Sequence, residues 1–151
     1  MALPANASET DNNDPALRAA LTDASASADT TPPPAEADFN PQAWSELLRL
    51  FGLSGVDELL EALQLDLPAQ QRRYAAALEP PDADALRRIA HALHGVSLQL
   101  GAAALAESCT RMESAARAGA AVQALELGRE VMARYAALVG RLLREAGTYR
   151  A

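Results

Sequence analysis

Apolar side chains recur three or four positions apart along most of the chain from residue 41 onward, a spacing that predicts amphipathic helices and no sheet. Asn40 suits an N-cap and Pro41 a first helical position. Trp44, Leu47, Leu48 and Phe51 then mark a short first helix over 41 to 51. Gly52-Leu53-Ser54-Gly55 should break it. A second apolar stripe runs through Val56, Leu59, Leu60, Leu63, Leu67, Tyr74 and Leu78, with Pro68 predicting a kink or local break. Glu79-Pro80-Pro81 stops that helix, and Asp82 or Asp84 can cap a third that carries Leu86, Ile89, Ala90, Leu93, Ser97 and Leu100 up to Gly101. Leu105, Cys109, Met112 and Ala116 define a fourth helix ending at Gly119. A fifth, from about Ala121, carries Leu125, Val131, Tyr135, Leu138 and Leu142 to Gly147. Short connections between helices of this length predict an antiparallel up-down-up-down four-helix bundle, with the helix at 41 to 51 covering one end.

Residues 1 to 40 break the pattern. They are rich in Asn, Asp, Ser, Thr, Pro and Ala, and end in Thr31-Pro32-Pro33-Pro34-Ala35-Glu36. Such a stretch buries too little apolar area to offset the entropy of ordering, so a disordered acidic, Pro-rich tail or linker is expected over 1 to 40 and one bundle domain over 41 to 147. The 151 residues, half of them hydrophobic, leave no room for a second full domain. Only 4% are aromatic and Ala and Leu dominate, which agrees with an all-α class.

Charge narrows the partners. The chain has 13 basic and 20 acidic residues, net -7; the tail holds seven of the acids and one base, Arg18, so the bundle itself is close to neutral. Nothing draws it to a phosphate backbone, and nucleic acid is not an expected partner. No apolar run approaches the length needed to span a bilayer, and Met1-Ala2-Leu3-Pro4 lacks the order of a signal peptide. A cytoplasmic protein without membrane insertion is expected. The one cysteine, Cys109, excludes an intramolecular disulfide and fits a reducing compartment.

Both histidines, His91 and His94, lie in the third helix. At about 100° per residue, the apolar residues of that helix gather on one face and His91 falls nearly opposite, so its imidazole should stand in water. Arg87, Arg88, His94 and Gly95 are its neighbours three and four positions away, and Leu98 lies two turns further along the same stripe. An exposed neutral imidazole is a nucleophile near physiological pH. A phosphoryl group on its nitrogen would gain from adjacent cationic or hydrogen-bonding donors, and Gly95 leaves room for a partner protein.

Plainer roles suit the other candidates. His91 and His94 share a face and could chelate a metal, but two ligands rarely suffice and no further pair stands at matching spacing. Cys109 reads as a small buried hydrophobe, and Ser97 as a core serine bonded back to a carbonyl. No phosphate-cradling glycine loop, Ser/His/Asp arrangement or catalytic carboxylate pair is evident.

The string His91-Ala92-Leu93-His94-Gly95-Val96-Ser97-Leu98-Gln99-Leu100-Gly101, followed by Leu105, Cys109, Met112 and Glu113, resembles the histidine-containing phosphotransfer (HPt) domain of bacterial and fungal phosphorelays. His91, Leu93, Gly95, Ser97 and Gly101 match that family's pattern position by position, and Asp84, Leu86, Arg87 and Ala90 resemble its approach to the histidine. The resemblance spans about residues 40 to 146. It implies a phosphorelay intermediate without kinase activity of its own: His91 accepts a phosphoryl group from a receiver-domain aspartyl phosphate and passes it to another receiver. It further implies that Glu113 orients His91, that Arg87, Arg88, Gly95 and Leu98 meet the receiver, that the receiver supplies Mg and no cofactor is held here, and that the domain is a monomer. One departure stands out, since His94 occupies the place of the family's usual lysine in a chain with no lysine at all. A histidine there offers less fixed positive charge. The alternative is therefore a degenerate bundle that binds a receiver or helical partner without phosphotransfer.

Overall fold

The structure of the chain, a computed structural model, describes residues 34 to 150. Five helices follow in order: α1 (Pro34–Asp38), α2 (Pro41–Ala76), α3 (Ala83–Leu100), α4 (Ala103–Arg117) and α5 (Ala121–Arg150). No strand occurs among the described residues, as the scarcity of β-branched residues predicts.

Local chemistry sets the ends. The Asn40 carboxamide oxygen accepts from the N–H groups of Gln42 and Ala43, both at 3.0 Å, ahead of Pro41 at the start of α2. Asp82 caps α3 by accepting from Ala85 N–H at 3.1 Å. Gly101 ends α3 in the left-handed region (φ 70°), where a Cβ would also stand 2.7 Å from that of Ala43. Asn40 then donates its amide to the Gly101 carbonyl at 3.2 Å, joining the start of α2 to the end of α3.

Gly52, at φ 70° and ψ 176°, is the non-helical residue inside α2 and separates the short first helix from the long second one, as expected. No local break occurs at Pro68, where helical dihedrals continue. Pro68 is exposed, as is Gln64 four positions back, so the carbonyl that loses its partner can turn to water. Helix α5 also runs past Gly147, which is exposed, to Arg150.

Helices α3 and α4 pack together, α4 packs on α5, and α2 lies against α3 and α5. Between them sits one core, with Leu60 and Leu63 of α2, Leu86 and Leu93 of α3, Leu105 and Met112 of α4, and Tyr135 and Leu138 of α5 all buried. Tyr135 keeps its hydroxyl satisfied by donating to Asp66 at 2.6 Å. No described helix is long and apolar enough to cross a membrane.

One boundary is corrected. Residues 34 to 40, assigned above to the tail, belong to the fold: α1 lies against α5 and α4, Asp38 is buried, and Phe39 packs on the core and under the Arg141 guanidinium, 4.2 Å from its ring centre. Composition hid this because one buried carboxylate and one aromatic hold the segment. The disorder expected for residues 1 to 33 lies outside the described residues.

Candidate functional site

Helix α3 carries its apolar residues on one face because Leu86, Ile89, Leu93 and Leu100 follow the helical period, and this turns His91 outward, 69% exposed. From the adjoining helix α4, Glu113 comes up beside it. Its Oε2 lies 3.2 Å from His91 Nδ1 and 2.9 Å from an Arg117 guanidinium nitrogen. The Glu113 side chain is only 13% exposed. Burial alone would raise its carboxyl; the bonds from Arg117 and His91 outweigh that and hold it below the ordinary value of 4.5. Glu113 is thus an ionised acceptor, and the nitrogen facing it carries the hydrogen. In the neutral ring this arrangement leaves the lone pair on the second nitrogen, Nε2.

Around the ring the surface is open. A Cβ built on Gly95 meets nothing within 4 Å, so packing does not demand a glycine there. Leu98 is 63% exposed in the following turn, and His94 is half-buried beside Gly95. Arg87 and Arg88 both reach back to Asp84, each at 3.2 Å, so the two guanidiniums expected around His91 are drawn one turn towards the start of α3. The cation joined to the imidazole through Glu113 is instead Arg117. Sequence reasoning passed over it, although its place four residues after Glu113 on one helix was a usable signal.

Ser97 is buried and donates to the His94 carbonyl at 2.7 Å, the back-bonding role expected of it. Cys109 is fully buried, and burial, with smaller contributions from Asp38 and Glu113, pushes its thiol up to about 12. It is a core residue. Among the described residues no group of three or more His, Cys, Asp or Glu is placed to hold a metal ion.

The site's elements coincide with a known family. The family model for the Hpt domain matches residues 46–145. The chain belongs to the Hpt domain family. Among solved structures it is similar to histidine-containing phosphotransfer protein B (HptB) from Pseudomonas aeruginosa PAO1, with a TM-score of 0.66 and 28% identity over 74% of this chain and 96% of that one. No curated protein matches the chain. The Hpt match takes in all of α3 and α4, and with them His91, Glu113 and Arg117.

Proposed function

We propose that this Hpt domain is a phosphorelay carrier which takes a phosphoryl group onto Nε2 of His91 from the aspartyl phosphate of a receiver domain and hands it to the aspartate of another. One observation carries the reading: an exposed imidazole whose Nδ1 faces the ionised carboxylate of Glu113, leaving Nε2 free on an open helix face. The Nε2 lone pair attacks phosphorus, the N–P bond forms as the P–O bond to the aspartyl carboxylate breaks, and the carboxylate leaves with that electron pair. The ring keeps its Nδ1 hydrogen throughout. It therefore becomes cationic, and Glu113 accepts a charge-assisted bond from it. The reverse step regenerates the neutral ring.

In this proposal Mg and the remaining catalytic groups belong to the receiver. The docking surface is the stripe of Arg87, Arg88, Gly95 and Leu98, with His94 beside the acceptor. One copy of the chain meets one receiver in the cytoplasm. The four long helices alternate in direction, because the packed pairs α3–α4 and α4–α5 are joined only by residues 101 to 102 and 118 to 120.

Intact mass of the wild type and a His91→Gln variant, after incubation with phosphorylated receivers, tests the reading. One acid-labile phosphoryl group on the wild type and none on the variant is the expected result. Receivers that bind yet keep their phosphate would replace the carrier by a docking module.

A further inference from the structure

Glu58, Glu61, Leu65, Ala69 and Arg72 follow one another at intervals of three and four along α2, with Ala62 and Arg73 beside them, on the side opposite the buried Leu60 and Leu63. The stripe has an order: acids first, small and apolar residues in the middle, bases last. Leu65 is 71% exposed, more than any other large hydrophobic side chain among the described residues. On the other long helices exposed acids and bases pair within a turn, as Asp84 does with Arg88, Glu113 with Arg117 and Glu130 with Arg134. Here Glu61 and Arg72 stand about 16 Å apart along the axis. None of Glu58, Glu61, Arg72 and Arg73 makes an ion pair among the described residues. The helix dipole favours acids early and bases late, but it gives no reason for an exposed leucine between two alanines.

Turned end for end, this stripe is its own complement. From the charge order and the apolar middle we infer that α2 is a self-association surface, which a second copy of the chain covers by laying its own α2 antiparallel across it. About a two-fold axis beside Leu65 the two leucines meet, and Ala62 of each copy faces Ala69 of the other. Glu58 and Glu61 of each copy then come beside Arg72 and Arg73 of the other, and the alanines let the two helix axes approach closely. A stable dimer buries about 800 Å² per partner. Little more than four turns of one helix, with one large apolar side chain, supply less, so the pairing is weak and reversible, with a dissociation constant on the order of 100 µM. The monomer implied by the family resemblance is then the dilute form. The α3 residues that border α2, such as Ile89 and Ala92, do not include His91, which is bonded to α4, so each copy keeps its acceptor uncovered.

Sedimentation of the full chain, with no receiver present, tests this. Between about 10 µM and about 1 mM at low salt the average mass should rise from that of one chain towards that of two, and about 0.5 M salt should weaken the association several-fold. Two exposed double variants test the pairing. Arg72→Glu/Arg73→Glu makes the stripe acidic throughout, and Glu58→Arg/Glu61→Arg makes it basic throughout. Each should stay a single chain over the whole range, while an equimolar mixture of the two should associate at least as tightly as the wild type. Leu65→Gln leaves every charge in place and should weaken association about tenfold or more. A wild type that is still a single chain at about 1 mM overturns the inference. So does a mixture of the two folded double variants that does not associate. Self-association undiminished in the double variants and in Leu65→Gln also overturns it, because the copies then meet on another face.

Discussion

The buried carboxylate of Asp38 accepts a hydrogen bond at 2.6 Å from the backbone N–H of Leu105, so a residue outside the long helices caps one of them. Helix α4 needs this, because Ala102 at its N-cap position has no side chain to offer. The other oxygen of Asp38 accepts from Arg134 of α5 at 3.1 Å, so one side chain ties α1, α4 and α5 together. Asp38→Ala removes a cap and leaves Arg134 without its most buried partner, at an expected cost of about 2–3 kcal/mol. Urea unfolding of the full chain measures it. A loss within experimental error would mean that water caps α4 equally well. Removing residues 1 to 33 should be tolerated far better than removing 1 to 40, which takes Asp38 and Phe39 as well.

Gly128 of α5 is buried against α2. A Cβ there would stand 2.6 Å from Tyr74 Cε1 and 3.1 Å from Met112 Cε, while the Tyr74 hydroxyl donates to the Leu125 carbonyl one turn away. The ring is tethered through its hydroxyl, so it cannot swing away without giving up that bond. Gly128→Ala should therefore lose about 1–3 kcal/mol through overpacking, despite the helix propensity it gains. A rise in melting temperature would show that the ring moves aside cheaply.

Much of this was legible in the sequence, for reasons that differ from element to element. The helix boundaries at Asn40, Gly52, Asp82 and Gly101 follow from local chemistry, a capping side chain or a backbone angle that only glycine accepts easily, and such signals act within a few residues. The exposure of His91 followed from the helical period alone. What the sequence hid are contacts made across long separations: Asp38 to Leu105, Asp66 to Tyr135, and the meeting of Glu113 with His91, which family resemblance suggested but no spacing could place. The bonds of Arg87 and Arg88 to Asp84, one turn earlier on the same face, were by contrast within reach of local spacing.

Acid should loosen the fold through Glu113 and Glu130. Burial raises each carboxyl, yet the hydrogen bonds made to it prevail, those of Arg117 and His91 at Glu113 and those of Ser108 and Arg134 at Glu130, and both are held below 4.5. Each group's folded value thus lies below its unfolded one. Their contribution is complete above about pH 4.5 and disappears as pH falls through the lower folded values. Urea midpoints measured from neutral pH down to about pH 3 should fall on this limb, and Glu113→Gln should flatten it. An unchanged slope in that variant would place the acid sensitivity elsewhere.

The alkaline side has the opposite sign. Burial raises the Cys109 thiol from 9.0 to about 12, and burial followed by the bond to Asp66 raises the Tyr135 hydroxyl as well. A group whose folded value is raised contributes stability that is whole below its unfolded value and declines as pH rises past it. The fold should therefore weaken above about pH 9. At neutral pH the shift from 9.0 to about 12 leaves about a thousandfold less thiolate than in the unfolded chain. An aromatic disulfide reagent should leave Cys109 untouched until urea unfolds the protein. Rapid reaction of the native chain would show that α4 opens locally.

Gly95 sets stability against access. It stands in the middle of α3, four residues after His91, with open space where a Cβ would be, so Gly95→Ala should stabilise the domain by about 0.5–1 kcal/mol by relieving the entropy that a helical glycine costs. The same alanine adds one methyl group beside the imidazole, and transfer from a receiver should fall only slightly. Gly95→Phe should leave the domain folded, since Gly95 is exposed and its Cβ position is open, yet slow transfer by at least about tenfold if the receiver's backbone passes over this position. The pair of variants separates folding from docking at a single site. If phenylalanine transfers as fast as glycine, the receiver approaches His91 from another side of α3, and the surface through Arg88 and Leu98 is not where it binds.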